Sequence, residues 1–260
     1  MVASQHSKRG VALVTGGRRG IGRAICVALA SRGYDIAVLD IVNDEAVVET
    51  LSQIESLGRR AQFYRYDLSQ IEQRFEVIDR IEGELGSINC LVNNAGIQTP
   101  VRGDLLEVTE ANFDLLMDVN LRGTFFITQE VSKRMIRRDT EHRSIITITS
   151  ANAHLVSPEK GSYGVSKAAL SMANQQFALR LADTGISVYE IRPGLIQTDM
   201  TLDVRERYSD AIQSGDICPQ RRWGMPADIG EAVASLACGA LPFSTGDIYN
   251  IGGGMQIPKL

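Results

Sequence analysis

Val11-Ala-Leu-Val-Thr15 is a short continuous apolar run, followed at once by Gly16-Gly-Arg-Arg-Gly20-Ile-Gly22 and then by Ala24-Ile-Cys-Val-Ala-Leu-Ala30. An apolar run of this length without alternation has the pattern of a parallel strand buried on both faces. The segment after the glycines is apolar along one side, as an amphipathic helix is. Strand, glycine turn and helix in that order form the context of a dinucleotide site. The glycines let the backbone turn tightly and come close to a pyrophosphate, and the free amides and dipole of a helix N-terminus attract its charge. The plain alternative is an ordinary strand-to-helix turn; the context on both sides favours the cofactor site.

The same alternation continues. Strand patterns fall at 35–39, 61–65, 88–92, 144–150, 186–191 and 247–251, and helical patterns at 44–57, 69–82, 113 to about 137, 163 to about 181, and 226–238. Alternating strands and helices imply an α/β doubly wound parallel sheet of about seven strands, a Rossmann fold. No stretch has the composition of a linker and no repeat is present, so a single domain over 1–260 is expected. From Met200 to about Arg222 the periodicity fades into an irregular segment.

Composition narrows the function classes. A net charge of −4 argues against a general binder of nucleic acid. No apolar run reaches the ~20 residues that span a bilayer, and the polar start from Met1 to Gly10 lacks the apolar core of a secretory signal. Cys26, Cys90, Cys218 and Cys238 are scattered, without metal-ligand spacing, and read as inert thiols of a reducing cytoplasm. His6, His142 and His154 have no ligand spacing either, and no metal is expected.

Two further groups of residues carry chemistry. Asp40 ends the second strand, about 20 residues beyond the glycine turn, where an acid can accept hydrogen bonds from the ribose hydroxyls and repel a 2′-phosphate. That favours NAD. Arg18 and Arg19 in the turn can clamp a 2′-phosphate, so use of NADP stays open, and Asp40 can also be a turn or capping acid. Tyr163 and Lys167 lie four residues apart, on one face of a helix. A phenol titrates near ~10, and a fixed cation beside it favours the phenolate and readies it for proton exchange. Alone, a Tyr-x-x-x-Lys pair is a chance-level feature of helices. Ser150 stands at the C-terminal end of the fifth strand, the edge where open α/β sheets bind ligands.

Thr15 to Gly22, written Thr-Gly-x-x-x-Gly-Ile-Gly, resembles the cofactor turn of the short-chain dehydrogenase/reductase family. Further motifs agree: Asn93-Asn-Ala-Gly96 after the fourth strand, Ser150 thirteen positions before Tyr163, the Tyr163/Lys167 pair, and Pro193-Gly194 followed by Thr198. The resemblance runs from about Lys8 to the C-terminus and implies a cofactor site of Gly16, Arg19, Gly20, Ile21 and Gly22 with Asp40 at the ribose. It implies Asp67 and Leu68 beside the adenine, with a helix N-cap as the competing reading of Asp67. It places Asn94, Ala95 and Gly96 beside the cofactor, Pro193 and Gly194 in a turn against it, and Thr198 on the nicotinamide carboxamide. Tyr163 would exchange the proton, Ser150 would hold the reacting oxygen, and Lys167 would grip the nicotinamide ribose. Asn120 would kink its helix and hold a water that links Lys167 to solvent; a structural Asn bonded to a nearby carbonyl explains it as well. The 200–222 segment would be a lid over the substrate, and a homodimer or homotetramer is expected.

The reaction implied is hydride transfer between nicotinamide and a small-molecule carbonyl or secondary alcohol. Within the family, reductases of 3-oxoacyl groups on acyl carrier protein and sugar or polyol dehydrogenases are nearest in pattern. Lys133, Arg134, Arg137, Arg138 and Arg143 can receive an acidic carrier, although a solvated helix face explains such a run too. The places where carrier reductases tend to keep basic residues hold Glu141 and Thr184 here. A protein that senses dinucleotide without turnover is the alternative of another class; such proteins usually lose the Tyr or the Lys. If Asp40 faces the ribose, Asp40→Ala raises the NADPH-to-NADH ratio of kcat/KM, and an unchanged ratio places Asp40 elsewhere.

Overall fold

A computed structural model describes residues 9–138 and 142–258. His6, Glu141 and the polar start before Arg9 lie outside the described residues. The strands are β1 Val11–Thr15, β2 Asp35–Asp40, β3 Ala61–Arg65, β4 Ile88–Asn93, β5 Arg143–Ile148, β6 Ile186–Pro193 and β7 Ile248–Ile251. They form one parallel sheet of seven strands in the order β3-β2-β1-β4-β5-β6-β7. The helices are α1 Gly20–Ser31, α2 Glu45–Ser56, α3 Arg74–Glu84, α4 Glu110–Leu116, α5 Thr124–Ile136, α6 Gly161–Leu181, α7 Arg205–Gln213 and α8 Pro226–Ala237.

The unbroken apolar character of the strands has a direct cause in this sheet. Ala12 and Val14 of β1 belong to one core cluster with Ile25 and Leu29 of α1 and Ile229 and Val233 of α8. Val11 and Leu13 belong to the other, with Ile78 and Ile81 of α3, Ile127 and Val131 of α5 and Leu181 of α6. Each face is covered by helices, so neither side of the strand can be polar. The strand order turns back on itself between β1 and β4, and at such a reversal the loops at the C-terminal edge diverge and leave a crevice.

Two stretches depart from the sequence pattern. Ser144 to Ser150 reads as one strand, but β5 ends at Ile148, because Ser150 turns to cap a short 3₁₀ turn at Ala151–Ala153 with its side chain. The segment after Met200 is helical, with a 3₁₀ turn at Asp199–Val204 and then α7. Its periodicity is faint because only Val204 and Ile212 in those two elements turn inward.

α1 and α8 cross closely at Gly230, where an added Cβ would stand 2.6 Å from the carbonyl oxygen of Ala24. Helix propensity favours Ala over Gly by about 1 kcal/mol, but overpacking a fixed backbone contact costs roughly 1–3 kcal/mol. Gly230→Ala is therefore expected to lower the urea midpoint rather than raise it.

Candidate active site

The glycine turn sits at the β1/β4 reversal and is held from both sides. Gly16 adopts φ +65°, a left-handed conformation, and its amide donates to Leu39 O at 2.7 Å. Gly22 packs so tightly on the turn that a Cβ would lie 1.9 Å from Gly16 O. Asn94 reaches across from the end of β4, its Nδ2 donating to Thr15 O and Gly16 O at 3.0 Å each. Thr15 Oγ1 accepts the amides of Asn94 and Ala95, both at 3.0 Å. At the entry to α1, Arg19 is the N-cap residue but gives no side-chain cap, and the first turn holds no acid. The first-turn amides stay free for an anion, Gly20 packs against Thr198, and Ile21 anchors the turn to the core. These features fit the pyrophosphate of a dinucleotide.

Asp40 stands at the end of β2, its Oδ1 accepting the amides of Ile41 at 2.9 Å and Val42 at 3.3 Å. Arg18 is drawn toward this acid. Its Nε lies 3.8 Å from Asp40 Oδ1 and its Nη1 donates to Asp44, the N-cap residue of α2. Arg19 points the other way and pairs with Asp199 at 2.8 Å. Of the two arginines in the turn, Arg18 is thus the one beside Asp40. Asp67 follows β3, two strands away from β1, and its Oδ1 accepts from the amide of Ser69 at 2.9 Å and its hydroxyl at 2.8 Å. Leu68 is buried, with its carbonyl against Gly123.

Ser150, Tyr163 and Lys167 converge at the same edge. Tyr163, in the first turn of α6, is buried, and the Ser150 hydroxyl bonds its phenol. Lys167, also buried, donates from Nζ to Ile148 O at 3.2 Å and lies 5.8 Å from the Tyr163 ring centre. Burial raises the Tyr163 pKa and the Ser150 bond lowers it, so in the closed site desolvation wins. The lowering expected from the lysine is not seen; Ser150 alone opposes burial. Asn120 is fully buried in a π-helical stretch, Met117–Gly123, between α4 and α5. Its Oδ1 accepts the Ile97 amide at 2.8 Å, and its Nδ2 donates to Ile97 O and Ser166 Oγ at 3.0 Å each. A Cβ on Gly96 would come within 3.2 Å of both Asn120 Oδ1 and Lys167 Nζ, so backbone and side chains are in close contact here. Pro193 ends β6, and the Gly194 amide donates to Ile251 O at 3.0 Å.

Sequence reading missed the residue that ties these parts together. Glu190 of β6 is fully buried and accepts from Thr149 Oγ1, Ser171 Oγ and Arg192 Nε, all at 2.7 Å. Thr149 adjoins Ser150, Ser171 lies one turn beyond Lys167, and Arg192 precedes Pro193. One carboxylate thus binds the three segments that carry the site. An acid two residues before an arginine inside an otherwise apolar strand was the available signal, since a buried charge needs partners.

The descriptive model of the short chain dehydrogenase family matches residues 10–209. The chain belongs to the short-chain dehydrogenase family. It is 36% identical over 246 residues to Nodulation protein G of Azospirillum brasilense, covering 95% of this chain and 98% of that protein. It is 32% identical over 255 residues to 2-dehydro-3-deoxy-D-gluconate 5-dehydrogenase of Escherichia coli, covering 98% of each. A 3-oxoacyl-[acyl-carrier protein] reductase from Brucella melitensis, solved in complex with NAD, superposes with a TM-score of 0.93 at 45% identity, covering 97% of this chain and 99% of that one. This short-chain dehydrogenase is accordingly an NAD(P)-dependent oxidoreductase of carbonyl and CH–OH groups.

Burial pulls the Lys167 ammonium of this dehydrogenase down to about 8, with the Glu190 carboxylate opposing. Lysine in an unfolded chain titrates near ~10.4, so between those values the unfolded chain holds the extra proton. The cost of burying Lys167 is complete below its folded pKa and fades as pH rises toward the unfolded one. Lys167→Met is expected to stabilise the protein at neutral pH by up to roughly 3 kcal/mol, less whatever the Ile148 bond contributes. The gain over native shrinks at about pH 10, which urea unfolding at the two pH values measures.

Proposed function

We propose that this dehydrogenase works on a small-molecule carbonyl or secondary alcohol, prefers NAD, and uses Tyr163 as its proton donor and acceptor. Bound nicotinamide supplies or takes the hydride. The observation that carries the reading is the buried contact of Tyr163 with Ser150 beside the Lys167 ammonium. In this reading Ser150 orients the reacting oxygen and stabilises the charge that develops on it. Lys167 holds the nicotinamide ribose and favours the phenolate. Asn120, in its π-helical stretch, keeps the Ile97 backbone and Ser166 in place along the path by which the proton leaves.

Gly16, Arg19, Gly20, Ile21 and Gly22 cradle the pyrophosphate in this reading, with Asn94, Ala95 and Gly96 as the opposite wall. Pro193, Gly194 and Thr198 face the nicotinamide, and Asp67 and Leu68 the adenine. The NAD preference rests on Asp40, whose carboxylate repels a 2′-phosphate. Arg18, engaged by Asp44 and drawn toward Asp40, is the residue through which NADP is accommodated.

A small free substrate is favoured over one carried on acyl carrier protein by the way the basic run is used. Arg134 pairs with Glu130 at 2.8 Å, Glu82 at 3.2 Å and Asp79 at 2.5 Å, and Arg138 with Glu82 at 2.5 Å. Arg143 is buried and donates to the carbonyls of Met135, Arg138 and Thr184. Only Lys133 and Arg137 of the run are left exposed. A carrier-bound 3-oxoacyl substrate remains the second reading, favoured by the likeness to the Brucella reductase.

In this reading the 200–222 segment acts as the lid, and its first part is held by Arg19–Asp199 to the glycine turn and by Arg207–Glu159, at 2.9 Å, to the turn before α6. Val165, Met172 and Leu179, seven residues apart, form an exposed apolar stripe on α6 that a second copy would cover, in a homodimer or a homotetramer. The unpaired Cys26, Cys90, Cys218 and Cys238 support a reducing, cytoplasmic setting; no described helix is long and apolar enough to cross a membrane. Tyr163→Phe tests the proton role. With NADH and a panel of ketones, oxo acids, oxoacyl thioesters and sugars, it should cut kcat roughly 10²- to 10⁴-fold while cofactor Kd holds. Equal rates in native and variant protein would remove Tyr163 from the chemistry.

A further inference from the structure

Tyr163 has a second ammonium beside it. Lys160, half-buried in the 3₁₀ turn Pro158–Lys160, places Nζ 5.9 Å from the Tyr163 ring centre, about as far as Lys167 on the same ring. Lys167 has a carbonyl partner; the Lys160 ammonium makes no hydrogen bond or ion pair among the described residues. Its neighbour Glu159 is turned away, with both carboxylate oxygens on Arg207 Nη1 of α7, at 3.1 and 2.9 Å.

The loop after β4 brings another cation to the same place. Gly103 N donates to Glu159 O at 3.4 Å, and Leu105 packs so closely on Gly161 that a Cβ there would lie 2.3 Å from Leu105 Cδ1. This contact fixes Arg102, also half-buried, near enough to Lys160 to repel its charge. Among the described residues, the one hydrogen bond from the Arg102 side chain runs from Nη2 to the neutral Gln98 Oε1 at 3.3 Å. Two half-buried cations thus lie near one another on two loops, Lys160 beside Tyr163, and the nearest carboxylate, Glu159, acts on both by its charge while its hydrogen bonds go to Arg207. Such an arrangement is unfavourable until an anion enters it.

We propose that Lys160 and Arg102 form a subsite for a carboxylate carried by the substrate, a few atoms from the carbonyl or hydroxyl that Tyr163 serves. The inference rests on the reading of Tyr163 as the proton donor and narrows the substrate class to oxo or hydroxy acids. The short distance from Lys160 to the reacting residue favours a carboxylate on the substrate itself. The phosphate of a carrier's pantetheine arm is separated from its thioester carbonyl by the whole length of that arm. Lysine suits this place because its head is a compact point charge, and Arg102 adds the planar fork that matches a carboxylate.

The test uses oxo acids of increasing chain length, from 3-oxobutanoate to 6-oxoheptanoate, each beside its methyl ester. Calorimetry on the enzyme–NAD complex, which cannot reduce an oxo group, gives Kd; steady-state rates with NADH give kcat and KM. At least one acid should bind more tightly than its ester. Lys160→Met should weaken that acid roughly ten- to hundredfold more than the ester, the loss of one charged hydrogen bond, and Lys160→Arg should restore the difference. Acids no tighter than esters at every length, or equal losses for acid and ester in Lys160→Met, overturn the subsite. Hydride transfer to acids and esters alike would overturn it and leave the dehydrogenase reading intact. Acid-selective binding through Lys160 without hydride transfer to any probe would support the subsite and count against Tyr163 as a catalytic residue.

Discussion

Everything functional in this chain hangs on a short set of hydrogen bonds across the reversal of the sheet. β1 and β4 lie side by side, and the loops leaving them head for opposite faces. Thr15 and Asn94 close the resulting gap: Thr15 Oγ1 takes two amides from the Asn94 segment and donates to Val92 O at 3.3 Å, while the Asn94 amide returns to the Thr15 and Gly16 carbonyls. Buried amides and carbonyls at strand ends have no ladder partner and must find one. By supplying it, these two residues fix the glycine turn against the Asn93–Gly96 segment. The seat of the glycine turn is therefore a consequence of how the sheet satisfies its own backbone.

The second layer of organisation is electrostatic. Lys167 and Glu190 are both buried, and Arg192 nearly so, with a side chain 15% exposed. Buried ion pairs add little to stability, because desolvation consumes most of the attraction. Their value here is positional. Glu190 accepts three hydrogen bonds from three segments, and its field holds the Lys167 pKa up against burial. The fold tolerates a costly buried ammonium at Lys167 because the satisfied Glu190 carboxylate opposes the cost.

Most of the fold was legible because parallel strands covered on both faces leave an apolar trace with glycine turns between. The glycine turn, Asp40, Asn94, Ser150, Tyr163 and Lys167 were legible because each sits at a strand end or on one helix face, where spacing fixes position. The helices of the 199–213 segment were not, since only Val204 and Ile212 in its two elements turn inward and a helix with so little buried surface shows no period. The direction of the Tyr163 shift was not, because it depends on how much water the folded site excludes, and burial is a property of tertiary packing. Pairing escaped the sequence for the same reason. A run of basic residues looks alike whether its arginines are free or, as with Arg134 and Arg138, bound to acids on α3 that are distant in the chain.

That last point separates the two cationic regions of the surface. At the end of α5 the arginines are neutralised by Asp79, Glu82 and Glu130, so the region presents little net field to a partner. At the mouth of the site the opposite holds. Glu159 adjoins Lys160 and has the reach to neutralise it, but α7 claims that carboxylate through Arg207. An exposed pair of this kind is screened by water, so its worth to the fold is small. Its effect on the field is larger, because it directs the hydrogen bonds of the nearest carboxylate to Arg207 and leaves only its longer-range charge to act on an ammonium 5.9 Å from the Tyr163 ring. The contact that seats the 199–213 segment on the turn before α6 is thus also the contact that fixes where the Glu159 carboxylate lies relative to Lys160.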